Sequence, residues 1–155
     1  MAIESERKFL VASDAWRESA GDAVAITQFY VFAAPDRSAR VRLRGDGRAS
    51  ITFKFGDQGR EREEFDFAVP YAEAEAMRAF ATGRVVEKTR HHVRWRGYLY
   101  EVDVFEGALA GLVIAELETT DEVADRDLPP WLGREVTGEA AYYNSSLALH
   151  GMPGK

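Results

Sequence analysis

Apolar and charged residues alternate with a period of two through most of this chain, and this alternation constrains the fold more than any other feature. Successive side chains of a β-strand point to opposite faces of the sheet, so the pattern predicts strands rather than helices. Short glycine-containing turns separate several of the segments, as expected for antiparallel neighbours. The predicted strands cover about residues 3–10, 25–33, 38–45, 49–55, 61–68, 85–95, 98–106 and 112–119.

Helical signals are fewer and lie between or after the strands. The segment 70–81 begins with Pro70, has a body rich in alanine and glutamate, and is followed by Gly83, which together predict a helix. Further short helices are predicted at 121–126, at 138–149 and, after a Ser13 and Asp14 cap, at 15–20. The predicted fold class is α+β and mainly β, in one domain covering residues 1–155.

Each predicted strand carries its charges on one face. Arg40, Arg42 and Arg44 share one side of their strand, and Val41 and Leu43 share the other. Doublets of one sign at spacing i, i+2 recur elsewhere: Glu4 with Glu6, Glu64 with Asp66, Lys88 with Arg90, Glu101 with Asp103, and Glu116 with Glu118. One explanation is an ordinary sheet with a solvated charged face. The other is a barrel of about eight strands with its charges inside.

The barrel interpretation has a chemical consequence. A closed interior with many charges costs a large desolvation free energy unless the charges are paired, hydrated or bound to a charged ligand. Because acidic and basic doublets occur together, the pattern favours an interior that binds a metal ion and a polyanion.

Composition narrows the class of protein. The chain has 155 residues, of which 46% are hydrophobic and 30% charged, as in a soluble globular domain. Without cysteine, a metal must bind to oxygen or imidazole. The net charge of −6 argues against nucleic acid as a partner. No apolar run approaches the roughly 20 residues of a membrane span, and the acidic start is unlike a signal peptide, so a cytoplasmic location is expected.

A series of motifs in fixed order resembles the CYTH family, also called triphosphate tunnel metalloenzymes. The first is the ExExK pentapeptide at residues 4–8, and the tail at 131–137 followed by Tyr142 and Asn144 also matches. Between them come Arg42-Leu43-Arg44, Thr52-Phe53-Lys54, Glu64-Phe65-Asp66, Glu87-Lys88-Thr89-Arg90, Glu101-Val102-Asp103 and Glu116-Leu117-Glu118. The resemblance implies an eight-stranded antiparallel β-barrel, a triphosphate tunnel with a charged lining, flanked by helices.

The resemblance also implies roles for individual residues. The phosphate-binding cations are Lys8, Arg42, Arg44, Lys54, Lys88 and Arg90, and arginine suits phosphate because it binds two oxygens at once. The metal ligands are Glu4, Glu6, Asp103, Glu116 and Glu118, hard oxygen donors that favour Mg²⁺ or Mn²⁺. Lys88, Glu6 and Tyr30 are the expected catalytic residues. Glu64 and Asp66 are expected to orient cations or hold a second metal, with Asp66 shorter than the family's usual glutamate.

The expected activity is hydrolysis of a triphosphate, with inorganic tripolyphosphate as the simplest substrate. The resemblance leaves open a class IV adenylyl cyclase, a thiamine triphosphatase or an RNA triphosphatase, and also a non-catalytic sensor of polyphosphate or nucleotides. The sensor is considered because Tyr143, Ser145 and Ser146 stand where relatives often carry lysine or arginine. A homodimer is also open.

Two other features are interpreted as structural. His91 and His92 are adjacent in a predicted strand and therefore face opposite sides, so they are not expected to bind one ion together. Trp16, Trp95 and Trp131 are expected to pack in or over the core rather than to stack on a base.

Overall fold

The structure, a computed structural model, describes residues 2–4, 6–57 and 62–154, with side chains from Glu6 onward. Ten β-strands form a single sheet. They are β1 (Ala2–Glu4), β2 (Glu6–Val11), β3 (Ala20–Ala34), β4 (Arg37–Arg44), β5 (Ala49–Phe55), β6 (Arg62–Val69), β7 (Thr82–Trp95), β8 (Tyr98–Phe105), β9 (Val113–Glu118) and β10 (Leu132–Glu135).

The sheet is antiparallel and curled. Its strand order is β1-β6-β5-β4-β3-β7-β8-β9-β2-β10. Glu4 of β1 pairs with Arg62 of β6, whereas Glu6 of β2 pairs with Glu118 of β9. Since two residues span at most about 7 Å along the chain, these pairings bring β6 and β9 close together. The predicted antiparallel barrel is confirmed.

All eight predicted strands are present, with two differences. The predicted strand 3–10 corresponds to β1 and β2 on either side of residue 5, which lies outside the described residues, as does residue 61, the first of the predicted strand 61–68. In addition, β10 was not predicted, because it has only four residues and a register irregularity against β2. A Cβ at Gly133 would lie 3.2 Å from the carbonyl oxygen of Leu10, so glycine permits this close approach.

The helices are short. The predicted helix 70–81 is confirmed as α1 (Tyr71–Ala76), continued by a 3₁₀ turn over Met77–Phe80. The C-terminal prediction corresponds to a 3₁₀ turn over Ala140–Tyr142 and α2 (Asn144–His150). Segment 121–126 contains only the start of a 3₁₀ turn, Asp125–Asp127. Neither α-helix of the described chain has the length or the apolar character to cross a bilayer.

Ser13 caps a 3₁₀ turn over Asp14–Ser19, where its Oγ accepts from the backbone N–H of Ala15 at 3.3 Å. This turn places Trp16 against the outer face of the sheet, in a cluster with Tyr100 and Trp131. The indole rings therefore pack in the core, as predicted. A second outer cluster joins Ala74 of α1 to Phe29 and Val41.

Helix α2 lies across one end of the barrel. Leu147 and Ala148 pack there with Tyr30, Phe105 and other apolar residues in a third cluster. The opposite end opens into a cavity of ≈ 1120 Å³. The interior therefore has one apolar, covered end and one open mouth.

Candidate functional site

The strand register places the predicted charged side chains on one face, which we call the charged lining. Arg90 pairs with Asp103, Lys8 with Glu116, and Lys54 with Glu64 across neighbouring strands. Directly paired residues point to the same side of a sheet. Lys8, Arg42, Lys88, Arg90, Asp103 and Glu116 are all buried although charged. Solvation therefore does not explain these charges, and the solvated-face interpretation is wrong for this part of the sheet.

The acidic part of the charged lining lies on β2 and β9. Glu6 is opposite Glu118, and the Glu116 side chain shares a hydrogen bond with Glu6. Burial of Glu116 alone would raise its pKa, but the positive charges of Lys8, Arg90 and Lys88 outweigh burial and lower the pKa. Glu116 is therefore a carboxylate in the folded protein, close to a second carboxyl group.

Asp103 of β8 contacts two cations of the neighbouring strand β7. Its Oδ1 and Oδ2 accept from Nε and Nη2 of Arg90 at 2.8 and 2.9 Å, and its Oδ2 lies 2.6 Å from Nζ of Lys88. Burial opposes the charge of Asp103, but Lys88 and Arg90 lower its pKa overall. For Lys88, burial dominates over the attraction of Asp103 and lowers the pKa to about 7.

Arg42 has a neutral partner instead. Its Nε and Nη2 donate to the amide oxygen of Gln28 at 3.0 and 2.7 Å. Burial, followed by the charges of Arg40 and Arg90, lowers the pKa of Arg42 well below its usual value. Arg40 lies beside it with one long contact, 3.5 Å from Nη2 to Oγ1 of Thr52, and its Nε has no hydrogen-bond partner among the described residues.

The mouth of the barrel is lined by Arg44, Arg48, Asp66 and His92 among others. Arg44 is half-buried, and burial together with the charges of Arg90 and Arg48 lowers its pKa. Asp66 is exposed and accepts from the Thr52 hydroxyl at 2.8 Å. Asp66 thus reaches the charged lining through Thr52.

At the covered end, Tyr142 just before α2 and Asn144 at the start of α2 contact the charged lining. Nζ of Lys8 donates to the carbonyl oxygen of Tyr142 at 3.0 Å, and Nε2 of Gln28 donates to Oδ1 of Asn144 at 3.4 Å. Tyr30, predicted to be catalytic, has its ring in the apolar cluster at this end. The first turn of α2 presents Asn144 and the buried Ser145, neither of which is a cation.

Two residues of the site were not among the sequence-predicted ligands. Arg40 shares the parity of Arg42 and Arg44, so strand alternation was a sufficient signal to include it. Gln28 has the same parity as Tyr30 on β3, but an uncharged side chain gives no signal until its partner Arg42 is known.

The two adjacent histidines face opposite sides of β7, as predicted. The His91 ring packs on Trp16 with centroids 4.8 Å apart, on the outer face. His92 lies at the mouth, with Nε2 3.8 Å from Oε2 of Glu101. They do not converge on one position.

The predicted metal ligands form a set of hard oxygen donors. Among the residues whose side chains are described, no group of three acidic or imidazole residues is arranged around a common point. Glu4, a predicted ligand, has its side chain outside the described part. The carboxyl groups of Glu6 and Glu116 lie within hydrogen-bond contact, and a pair of hard oxygen donors of this kind fits a divalent cation. Asp103 also belongs to the predicted set, and both its oxygens already contact cations.

Comparisons with known proteins agree with this geometry. The inorganic triphosphatase of Acetivibrio thermocellus is 40% identical over 148 residues, 95% of this chain and 94% of that protein. The inorganic triphosphatase of Nitrosomonas europaea is 36% identical, over 94% of this chain and 97% of that protein. The crystal structure of the inorganic triphosphatase NE1496 superposes with a TM-score of 0.70 at 35% identity, covering 99% of each chain. Residues 2–150 match the CYTH domain, and the chain belongs to the CYTH domain family.

Proposed function

We propose that this protein is a divalent-metal-dependent hydrolase of inorganic tripolyphosphate. The observation that carries the proposal is a buried lining in which Arg40, Arg42, Lys88 and Arg90 surround the barrel interior beside the Glu6 and Glu116 carboxyl groups. A linear triphosphate adds negative charge to this group of cations, of which Lys88 and Arg90 are already paired with Asp103. The two relatives named inorganic triphosphatase support the same substrate.

In this proposal the cations bind and orient the substrate. Arg40, Arg42, Arg44 and Lys54 hold phosphate oxygens from one side, and Lys8, Lys88 and Arg90 hold them from the other. Phosphoryl transfer needs little covalent participation by the protein, so positioning and charge stabilisation supply most of the rate enhancement. Lys88, fixed by Asp103, orients the attacking water toward a terminal phosphorus.

The acidic residues hold the metal. We assign Glu4, Glu6, Glu116 and Glu118 as ligands for Mg²⁺ or Mn²⁺, with Asp103 beside them, and Glu64 and Asp66 orient cations on the opposite side. When bound, the metal neutralises charge on the phosphate oxygens and lowers the pKa of water. Tyr30 and the apolar cluster under α2 exclude bulk water from the covered end.

The test is phosphate release from tripolyphosphate, ATP and thiamine triphosphate, with parallel measurement of cyclic AMP formation, in Mg²⁺ and in Mn²⁺. We expect fastest release from tripolyphosphate and loss of activity in EDTA. Faster turnover of a nucleotide or of thiamine triphosphate would replace the substrate assignment. Glu116→Gln should raise the metal concentration that gives half-maximal activity, because it removes a metal ligand. The exposed Glu122→Gln is the matched control.

A non-catalytic binding role is the second candidate. It is supported by Tyr143, Ser145 and Ser146 at the covered end, where relatives often carry lysine or arginine. Binding of tripolyphosphate without turnover in either metal would favour it.

We also propose that the chain forms a homodimer in the cytoplasm. The outer faces of β5 and β6 carry two edge-to-face pairs of phenylalanines, Phe53 with Phe67 and Phe55 with Phe65, at centroid distances of 6.2 and 5.9 Å. Phe67 is 55% exposed, and exposed apolar patches of this kind mark interaction surfaces. Light scattering should give a dimer for the wild type and a monomer for Phe67→Glu.

A further inference from the structure

Two buried arginines of the charged lining are held by the same edge of the guanidinium group. Arg90 presents Nε and Nη2 to the carboxylate of Asp103, and Arg42 presents Nε and Nη2 to the amide oxygen of Gln28. The same two donor atoms are used, but Asp103 accepts with two oxygens and Gln28 with one, and the charge of the partner differs. We call Lys88, Arg90 and Asp103 the acid-held wall, and Gln28, Arg40 and Arg42 the amide-held wall.

The orientation of Gln28 is determined by its neighbours. A guanidinium group has only donors, so the amide oxygen of Gln28 must face Arg42 and its Nε2 must face away. That Nε2 lies 3.4 Å from Oδ1 of Asn144, the first residue of α2. Gln28 is only 1% exposed, which leaves its side chain no competing water-facing arrangement.

The amide partner leaves the positive charge of Arg42 in place. An amide orients a guanidinium without cancelling its charge, whereas a carboxylate does both. Among the described residues no carboxylate forms an ion pair with Arg42, and no hydrogen bond from its Nη1 is found. Arg40 adds a second buried cation whose Nε has no described partner. Burying such charges costs desolvation free energy unless an anion pairs with them.

We propose that Gln28 is a positioning residue for the triphosphate. Its neutral amide fixes the plane of Arg42 through Nε and Nη2 and leaves the full positive charge and the Nη1 edge for phosphate oxygens. The amide-held wall is then the main source of affinity for the most negative part of the substrate. This inference rests on the proposed function, because it assigns a means of binding to the same site.

The decisive variant is Gln28→Glu, which keeps the shape of the side chain and adds one negative charge against Arg42. We expect the KM for tripolyphosphate to rise at least about tenfold, because an acid near the phosphates repels them and neutralises Arg42. The midpoint of urea unfolding should stay the same or increase, since the new ion pair compensates a buried charge. Opposite shifts in affinity and stability are not expected from a residue with only a structural role.

Two further variants complete the experiment. Gln28→Met removes the acceptor but keeps the charge of Arg42 free, so the KM should rise less than in Gln28→Glu while the unfolding midpoint falls. Thr27→Glu adds the same charge one residue away on the outer face and should leave the KM unchanged. If Gln28→Glu does not fold, the order of KM among wild type, Gln28→Met and Thr27→Glu still tests the inference.

The outcomes separate the inference from the proposed function. If wild type neither hydrolyses nor binds tripolyphosphate by calorimetry, the proposed function is wrong. If wild type is active and Gln28→Glu retains its KM, the inference is overturned while the function stands. If Gln28→Glu loses affinity and stability together, Gln28 is a packing residue and the inference is also overturned.

Discussion

The acid-held wall and the amide-held wall solve the same structural problem in different ways. Each must keep a buried arginine in one orientation, and each uses a bidentate contact to Nε and Nη2. In the acid-held wall, burial lowers the pKa of Arg90 but Asp103, together with Glu116 and Glu101, raises it overall, whereas in the amide-held wall burial dominates and lowers the pKa of Arg42. Folding alone stabilises the first wall. In the amide-held wall, an anionic ligand balances the positive charges.

The largest effect is expected when the acid-held wall loses its acid. Asp103→Asn keeps the shape but removes the nearest counter-charge of the buried Lys88 and Arg90, and removing one partner of a buried pair costs about 3–5 kcal/mol. Urea unfolding should show this decrease in the free energy of unfolding. The control is Glu122→Gln, an exposed acid outside the strands, which should cost under about 1 kcal/mol. Equal costs for both variants would contradict the comparison.

The second prediction concerns the arginines themselves. Without ligand, Arg90→Met should lower the free energy of unfolding, because it removes a partner of Asp103. Arg42→Met should raise it by about 1–2 kcal/mol, since it removes a buried charge that no acid compensates. Both variants should raise the KM for tripolyphosphate. Urea unfolding without phosphate measures the free energy of unfolding of both variants. A change of the same sign in both would contradict the prediction.

The walls should also respond differently to acid. The folded pKa of Asp103 lies below its ordinary value of 3.8, so its contribution to stability is fully present above that pH and is lost as the pH falls below it. The amide-held wall has no such group. Wild type should therefore lose more stability than Asp103→Asn between pH 5 and about pH 3. Parallel pH profiles of the two proteins would show that Asp103 has no such role.

The smallest effect is expected at the contact between the amide-held wall and α2. Asn144→Ala removes one long hydrogen bond to Gln28, worth about 0.5–1 kcal/mol. Because Arg42 still holds the amide oxygen, the KM should rise less than about threefold. A KM as high as that of Gln28→Glu would mean that α2, rather than Arg42, fixes the Gln28 side chain.

Strand alternation was enough to predict most of the fold, because period two is a local property that each strand carries by itself. It failed for β10, whose four residues are too few to show a period and whose position depends on the close approach of Gly133 to Leu10. Helix α2 was predicted, but its place over the end of the barrel depends on long-range contacts of Leu147 and Ala148.

The sequence by itself determined which residues are charged, which share a face of each strand and, through the order of its motifs, the family. Only the tertiary structure decided how those charges are paired. Lys88 and Arg90 follow one another at i, i+2 just as Arg42 and Arg44 do, yet Asp103 on the neighbouring strand β8 contacts only the first pair. Pairing depends on which strands become neighbours when the sheet closes, and no local pattern along the chain encodes that neighbourhood. For the same reason the uncharged Gln28 became a candidate for substrate positioning only once β3 and β4 lay side by side.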